Sequence, residues 1–69
     1  MFEEFLNKRV KMVIKDGDAI KALHGVFLGI DGGQFAKIEL ARSGVQAINL
    51  SNIEKMKLDE DQDEEEARD

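Results

Sequence analysis

Apolar and polar positions change period once along this chain. Phe2, Phe5 and Leu6 fall at helical spacing, with Glu3 and Glu4 ahead of them and Lys8 and Arg9 behind, a charge order that suits a helix dipole. The spacing predicts a short helix over residues 1–9 whose apolar stripe caps one end of a small barrel. From Val10 the period drops to two: Val10, Met12 and Ile14 alternate with Lys11, Val13 and Lys15 up to a turn at Asp16-Gly17-Asp18. Ile20 to His24 continues the alternation into Gly25–Ile30, with Gly25 permitting a sharp bend or a close backbone approach. Strict alternation there sets Val26, Leu28 and Ile30 on one face and Phe27, Gly29 and Asp31 on the other.

Asp31-Gly32-Gly33 reads as the next turn. Beyond it Ala36, Ile38 and Leu40 form the buried face of a third strand and leave Phe35, Lys37 and Glu39 opposite. Arg42-Ser43-Gly44 makes another turn before a fourth strand, Val45 to Leu50. Ser51, with Glu54 three residues on, has the capping-box pattern, in a space that fits only a 3₁₀ turn. Ile53, Met56 and Leu58 then mark a short fifth strand that closes the sheet. The expected class is mainly β: a short N-terminal helix and a strongly bent, five-stranded antiparallel barrel in one domain, residues 1–58.

Composition adds an energetic constraint. With 69 residues, of which about 58 belong to the predicted domain, folding buries only about 60% of the surface that the unfolded chain exposes, so such domains usually need disulfides, a metal or self-association. There are no cysteines and one histidine, which leaves association and predicts a homo-oligomer. The absence of cysteine fits a reducing compartment, and no segment has the length of a membrane span or the pattern of a secretory signal. A cytoplasmic location without membrane contact is expected.

Charge is divided unevenly. Residues 1–58 carry nine Lys/Arg and seven Asp/Glu, whereas residues 59–69 carry eight acidic side chains and Arg68 alone. The predicted domain is mildly basic, and the last eleven residues supply the acidity. Residues 59–69 contain no Ile, Leu, Val, Phe or Met and are expected to be a disordered acidic tail. Three readings of the tail remain open: a solubilising segment, an electrostatic mimic of nucleic acid that folds back over the basic body, or a loose divalent-cation binder.

The spacing from Gly25 to Asp31, with Phe27 and Leu28 apolar between them, resembles the first motif of the Sm-like family of small SH3-like barrels. Lys15-Asp16-Gly17 resembles the turn before that motif, and Ile53 and Met56 fall at apolar positions of the family's second motif. The C-terminal domain of the ribosome maturation factor RimP is similar in size and in its Ile53, Lys55, Leu58 pattern. The bacterial Hfq plan of a helix and five strands is also similar. The family resemblance implies RNA binding and ring assembly, in which strand four of one subunit pairs with strand five of the next. Here that implies an interface at Val45, Ala47, Ile48, Ile53 and Met56.

Four family positions differ. Phe35 stands where a base-reading asparagine is usual and Gly33 where a stacking residue is common; Asn49-Leu50 replaces the Arg-Gly of the second motif. An RNA site would therefore be non-standard. Phe35 offers a stacking face beside Lys37, and Arg42 and Asn49 complete the candidate set, with Lys8, Arg9, Lys11, Lys55 and Lys57 as further cations. The rival expectation is a protein-interaction or assembly module that uses the same strand edges without RNA.

Enzymatic chemistry finds no constellation to carry it. His24 has no second histidine or cysteine for a metal site and reads as a strand-end residue. Ser43 and Ser51 have no histidine at a spacing that activates a nucleophile. The glycines precede no helix that would make a phosphate loop, and Asp31 reads as a turn former whose carboxylate accepts backbone N–H groups. No catalytic residue, metal or cofactor is assigned.

Overall fold

The computed structural model describes residues 2–59. Five antiparallel strands, β1 (Arg9–Asp16), β2 (Ala19–Asp31), β3 (Phe35–Leu40), β4 (Gly44–Asn49) and β5 (Ile53–Leu58), form one sheet in the order β4-β3-β2-β1-β5. β2 organises it. Its 13 residues are longer than any other strand's, and its two halves pair with different neighbours: Ala19–Val26 with β1, and Gly25–Asp31 with β3.

Sharing one strand between two partners requires a bend, and the sequence supplies it at Gly25 and Gly29. Gly25 is buried where the β3 backbone crosses closely: a Cβ there would collide with the Glu39 carbonyl oxygen and lie 2.9 Å from the Leu40 Cδ2. Gly29 has φ 119°, a conformation that side-chain-bearing residues rarely adopt, and it closes a β-bulge. Phe27 pairs with Ile38 and Gly29 with Lys37, so Leu28 has no partner across the strands.

That extra residue corrects the expected alternation. The bulge shifts the phase of β2, so that Ile30 packs against the core with Phe27, while Leu28 turns outward at 37% exposure. A second bulge, opposite Val13–Ile14, leaves Glu54 unpaired, so that Ile53 and Met56 both face the core despite their odd separation. The core comprises Val10, Met12, Ile14, Phe27, Ala36, Ile38 and Met56.

The sheet is not a closed barrel. Among the described residues β4 and β5 occupy its two edges and pair only with β3 and β1, joined in sequence by a 3₁₀ turn at Leu50–Asn52. The N-terminal helix expected over residues 1–9 is likewise replaced, by a single 3₁₀ turn at Glu3–Phe5 between Phe2 and Asn7, which have φ 66° and 62°. One three-residue turn already brings Phe2 and Phe5 to the same side. Phe2 meets Phe27 edge-on at 6.1 Å and Phe5 at 6.0 Å. The following backbone is then drawn into the sheet, where the Asn7 N–H donates to the Phe27 carbonyl and the Phe27 N–H to the Lys8 carbonyl. A longer helix would forgo those two bonds and still bear the cost of nucleation.

Opposite consequences follow for two neighbouring apolar residues. Ile30→Ala should lower the unfolding free energy by about 2 kcal/mol or more, and Leu28→Ala by less than about 1 kcal/mol, in urea titrations followed by circular dichroism. Equal losses, or a larger loss at Leu28, would contradict the bulge.

Candidate nucleic-acid interface

Strand β3 divides its side chains cleanly. Ala36 and Ile38 are fully buried, which turns Phe35, Lys37 and Glu39 to the outer face. Phe35 is 38% exposed, a large exposed apolar side chain at the start of the strand. Antiparallel partners share a face, and the register sets Phe35 opposite Asn49, Lys37 opposite Ala47 and Glu39 opposite Val45. An aromatic ring, a carboxamide and an ammonium are thus gathered at one end of the β3–β4 ladder.

Asn49 is held there by its own bonding. Its Oδ1 accepts from the Ser51 N–H at 3.0 Å and from the Ser51 Oγ–H at 2.9 Å, making Asn49 the N-cap of the 3₁₀ turn. This displaces the expected role of Ser51, which lies within the turn as the donor rather than before it as the cap. Both bonds use the amide oxygen, so the Nδ2 donors of Asn49 remain available to a ligand. The same residue lines an open cleft of about 290 Å³ between β4 and the end of the β1–β2 hairpin, with Ile14, Lys21, Leu23, Gln46 and Asn52 among its other walls.

Lys37 lies 3.8 Å from the Asp31 carboxylate, with both side chains well exposed. An ion pair that long and that wet holds the ammonium only weakly. The turn role expected of the Asp31 carboxylate falls instead to its backbone carbonyl, which accepts the Gln34 N–H at 3.2 Å. Arg42 is not brought to this cluster. It lies in the β3–β4 turn at the opposite end of the ladder, roughly 20 Å from Phe35 by the rise of an extended strand.

The residues named for an oligomer interface separate by face. Val45, 54% exposed, and Ala47 point outward on the β4 edge. Ile48 and Ile53 are half-buried against the core, and Met56, at 9% exposure, belongs to it. His24, expected at a strand end, lies in mid-β2 opposite Lys11, and its Nδ1 is 2.9 Å from the Asp59 Oδ2. Asp59 was grouped with the acidic tail, yet its N–H donates to the Arg9 carbonyl and its side chain is only 16% exposed. The placement depends on the β1–β5 register, which sets residue 59 beside Arg9 and which the sequence does not show. Residues 60–69, and the tail expectation that falls on them, lie outside the described residues.

Removing the Asn49 cap should destabilise the fold. Asn49→Ala is expected to cost about 1 kcal/mol in denaturant titrations, with Asn49→Asp, which keeps the acceptor, retaining most of it. Identical losses for both variants would contradict a capping role.

Compared with protein-family models, with curated proteins and with solved structures, the chain matches none of them.

Proposed function

We propose that this protein is a non-enzymatic, Sm-like small β module that assembles from copies of itself and associates with single-stranded RNA or a ribonucleoprotein through a non-standard site. The observation that carries this reading is the placement of Phe35 opposite Asn49 with Lys37 alongside on the same outer face. A base stacked on an exposed aromatic ring contributes about 1–3 kcal/mol without sequence preference. The Asn49 Nδ2 group is placed to donate to a base carbonyl or a phosphate oxygen, and Lys37 to neutralise a phosphate. One such site is weak. Repetition around an assembly raises the avidity steeply with no new contact.

Assembly is supported by the two open edges. β4 and β5 each present backbone donors and acceptors that no described strand satisfies. Among the described residues the core holds seven buried apolar side chains, which is small for an independent domain. The exposure of Val45 on the β4 edge favours a second reading, in which another protein adds a strand there and no RNA is bound.

Size-exclusion chromatography with light scattering separates these outcomes. The full chain should elute at a multiple of its 7.8 kDa and carry a labelled oligouridylate with it at low salt. Phe35→Ala should reduce co-elution and leave the mass unchanged. A monomer at high micromolar concentration would remove the assembly claim, and a stable oligomer that carries no oligonucleotide would favour the protein-interaction reading.

A further inference from the structure

The outer face of the sheet, toward the edge opposite Phe35, carries an unexplained electrostatic arrangement. Val10, Met12 and Met56 point into the core, so the register places Lys11 of β1 directly opposite Lys57 of β5 on the outside, with His24 of β2 on the other flank. One step along, Lys55 stands opposite Val13. Directly opposed like charges on neighbouring strands disfavour the fold, because their β-carbons are only about 5 Å apart. Among the described residues none of Arg9, Lys11, Lys55 or Lys57 has an ion-pair partner.

Three of the described acids have other partners. Asp16 pairs with Lys21 at the hairpin end, Asp31 lies near Lys37, and Asp59 reaches across β1 to His24. The contact from Asp59 to His24 braces the face from β5 to β2 without a bond to any lysine. A row of cations that repel one another in the free protein is an arrangement that a polyanion relieves on binding. The residues between them, Val13, Ala22 and Val26, offer no aromatic surface for stacking. The face has the chemistry to hold phosphates, and its imidazole, His24, is engaged by Asp59.

We infer that the outer face of β5, β1 and β2, through Arg9, Lys11, Lys55 and Lys57, is a binding track for the phosphodiester backbone of a single-stranded nucleic acid. This rests on the nucleic-acid reading above, and it extends that site from the Phe35 end of the sheet to the opposite edge. The two parts divide the work: the β3–β4 end stacks a base, and the β5–β1–β2 face neutralises phosphates.

Salt dependence distinguishes the two parts. A fluorescent oligouridylate is titrated with the full chain by anisotropy between roughly 50 and 200 mM salt, where each neutralised single-strand phosphate contributes about 0.7 to the log–log slope. The double variant Lys11→Ala/Lys57→Ala should flatten that slope by about 1.4, and Lys57→Ala alone by about half as much. Both should melt no lower than the parent, since an opposed like-charge pair has been relieved. Lys21→Ala/Arg42→Ala, which removes the same formal charge away from this row, should leave the slope unchanged, and Phe35→Ala should weaken binding at every salt concentration without altering it. Equal flattening in both double variants would reduce the track to a net-charge effect and overturn it. Displacement of the oligonucleotide by polyglutamate at equal charge concentration would reassign the face to an acidic peptide. Weakening by Phe35→Ala with no slope change in the Lys11/Lys57 variant would overturn the track alone, whereas no binding by the parent at low salt would overturn both readings.

Discussion

The close approach of β2 to β3 at Gly25 is the constraint on which the remaining geometry depends. β2 must serve as the partner of β1 along one half and of β3 along the other, and the transfer between them happens where the Glu39 carbonyl occupies the space that a side chain would need. Glycine is required there by contact rather than by conformation. Two residues later Phe27 fills the angle so formed, and the N-terminal turn closes over it with Phe2 and Phe5. The bulge at Leu28 follows within the same strand and sets which face Ile30 and Asp31 take.

From this bend the outer surface acquires two chemically distinct ends. Along β3 and β4 the face carries Phe35, Lys37 and Asn49, fixed by a ladder whose inner positions, Ala36 and Ile38, leave no exposed area. Along β5, β1 and β2 it carries basic side chains at neighbouring register positions. The core that enforces both faces is small, so each rests on a few side chains. The open edges of β4 and β5 are the same fact seen from the ends: a sheet bent this strongly, yet unclosed, presents backbone hydrogen-bonding groups to whatever strand comes beside it. No helix among the described residues is long and apolar enough to cross a membrane.

Much of this was legible in the sequence, and the failures have identifiable causes. Strand positions, the continuity of β2 through Gly25, the turns at Asp16-Gly17-Asp18 and Asp31-Gly32-Gly33, and the exposure of Phe35 all follow from period-two alternation and turn chemistry. The two bulges do not, because an extra residue in a strand leaves local composition unchanged while inverting every face beyond it. The N-terminal stripe was read as a helix because Phe2 and Phe5 satisfy a 3₁₀ turn and an α-helix equally well, and backbone bonds to Phe27 decided between them. Closure of the barrel, expected from the Gly25–Asp31 spacing and a fifth strand, does not occur, because the ladder ends at β4 and β5. At the candidate site, Phe35 and Lys37 were visible from β3 alone. The Asn49 cap, the separation of Arg42 from the cluster, the His24–Asp59 contact and the Lys11–Lys57 opposition all depend on register between segments distant in sequence, which one chain's periodicity does not encode.

The central claim is that the outer face, from the Phe35 end to the lysine track, contacts single-stranded nucleic acid. Amide chemical-shift mapping of the isotopically labelled full chain against an unlabelled oligouridylate at low salt tests it most directly. The account predicts perturbations at Phe35, Lys37 and Asn49 and across Lys11, Lys55 and Lys57, with Arg42 and the hairpin end at Gly17 little changed. Perturbations confined to the hairpin end and the Arg42 turn, or none at saturating oligonucleotide, would contradict it.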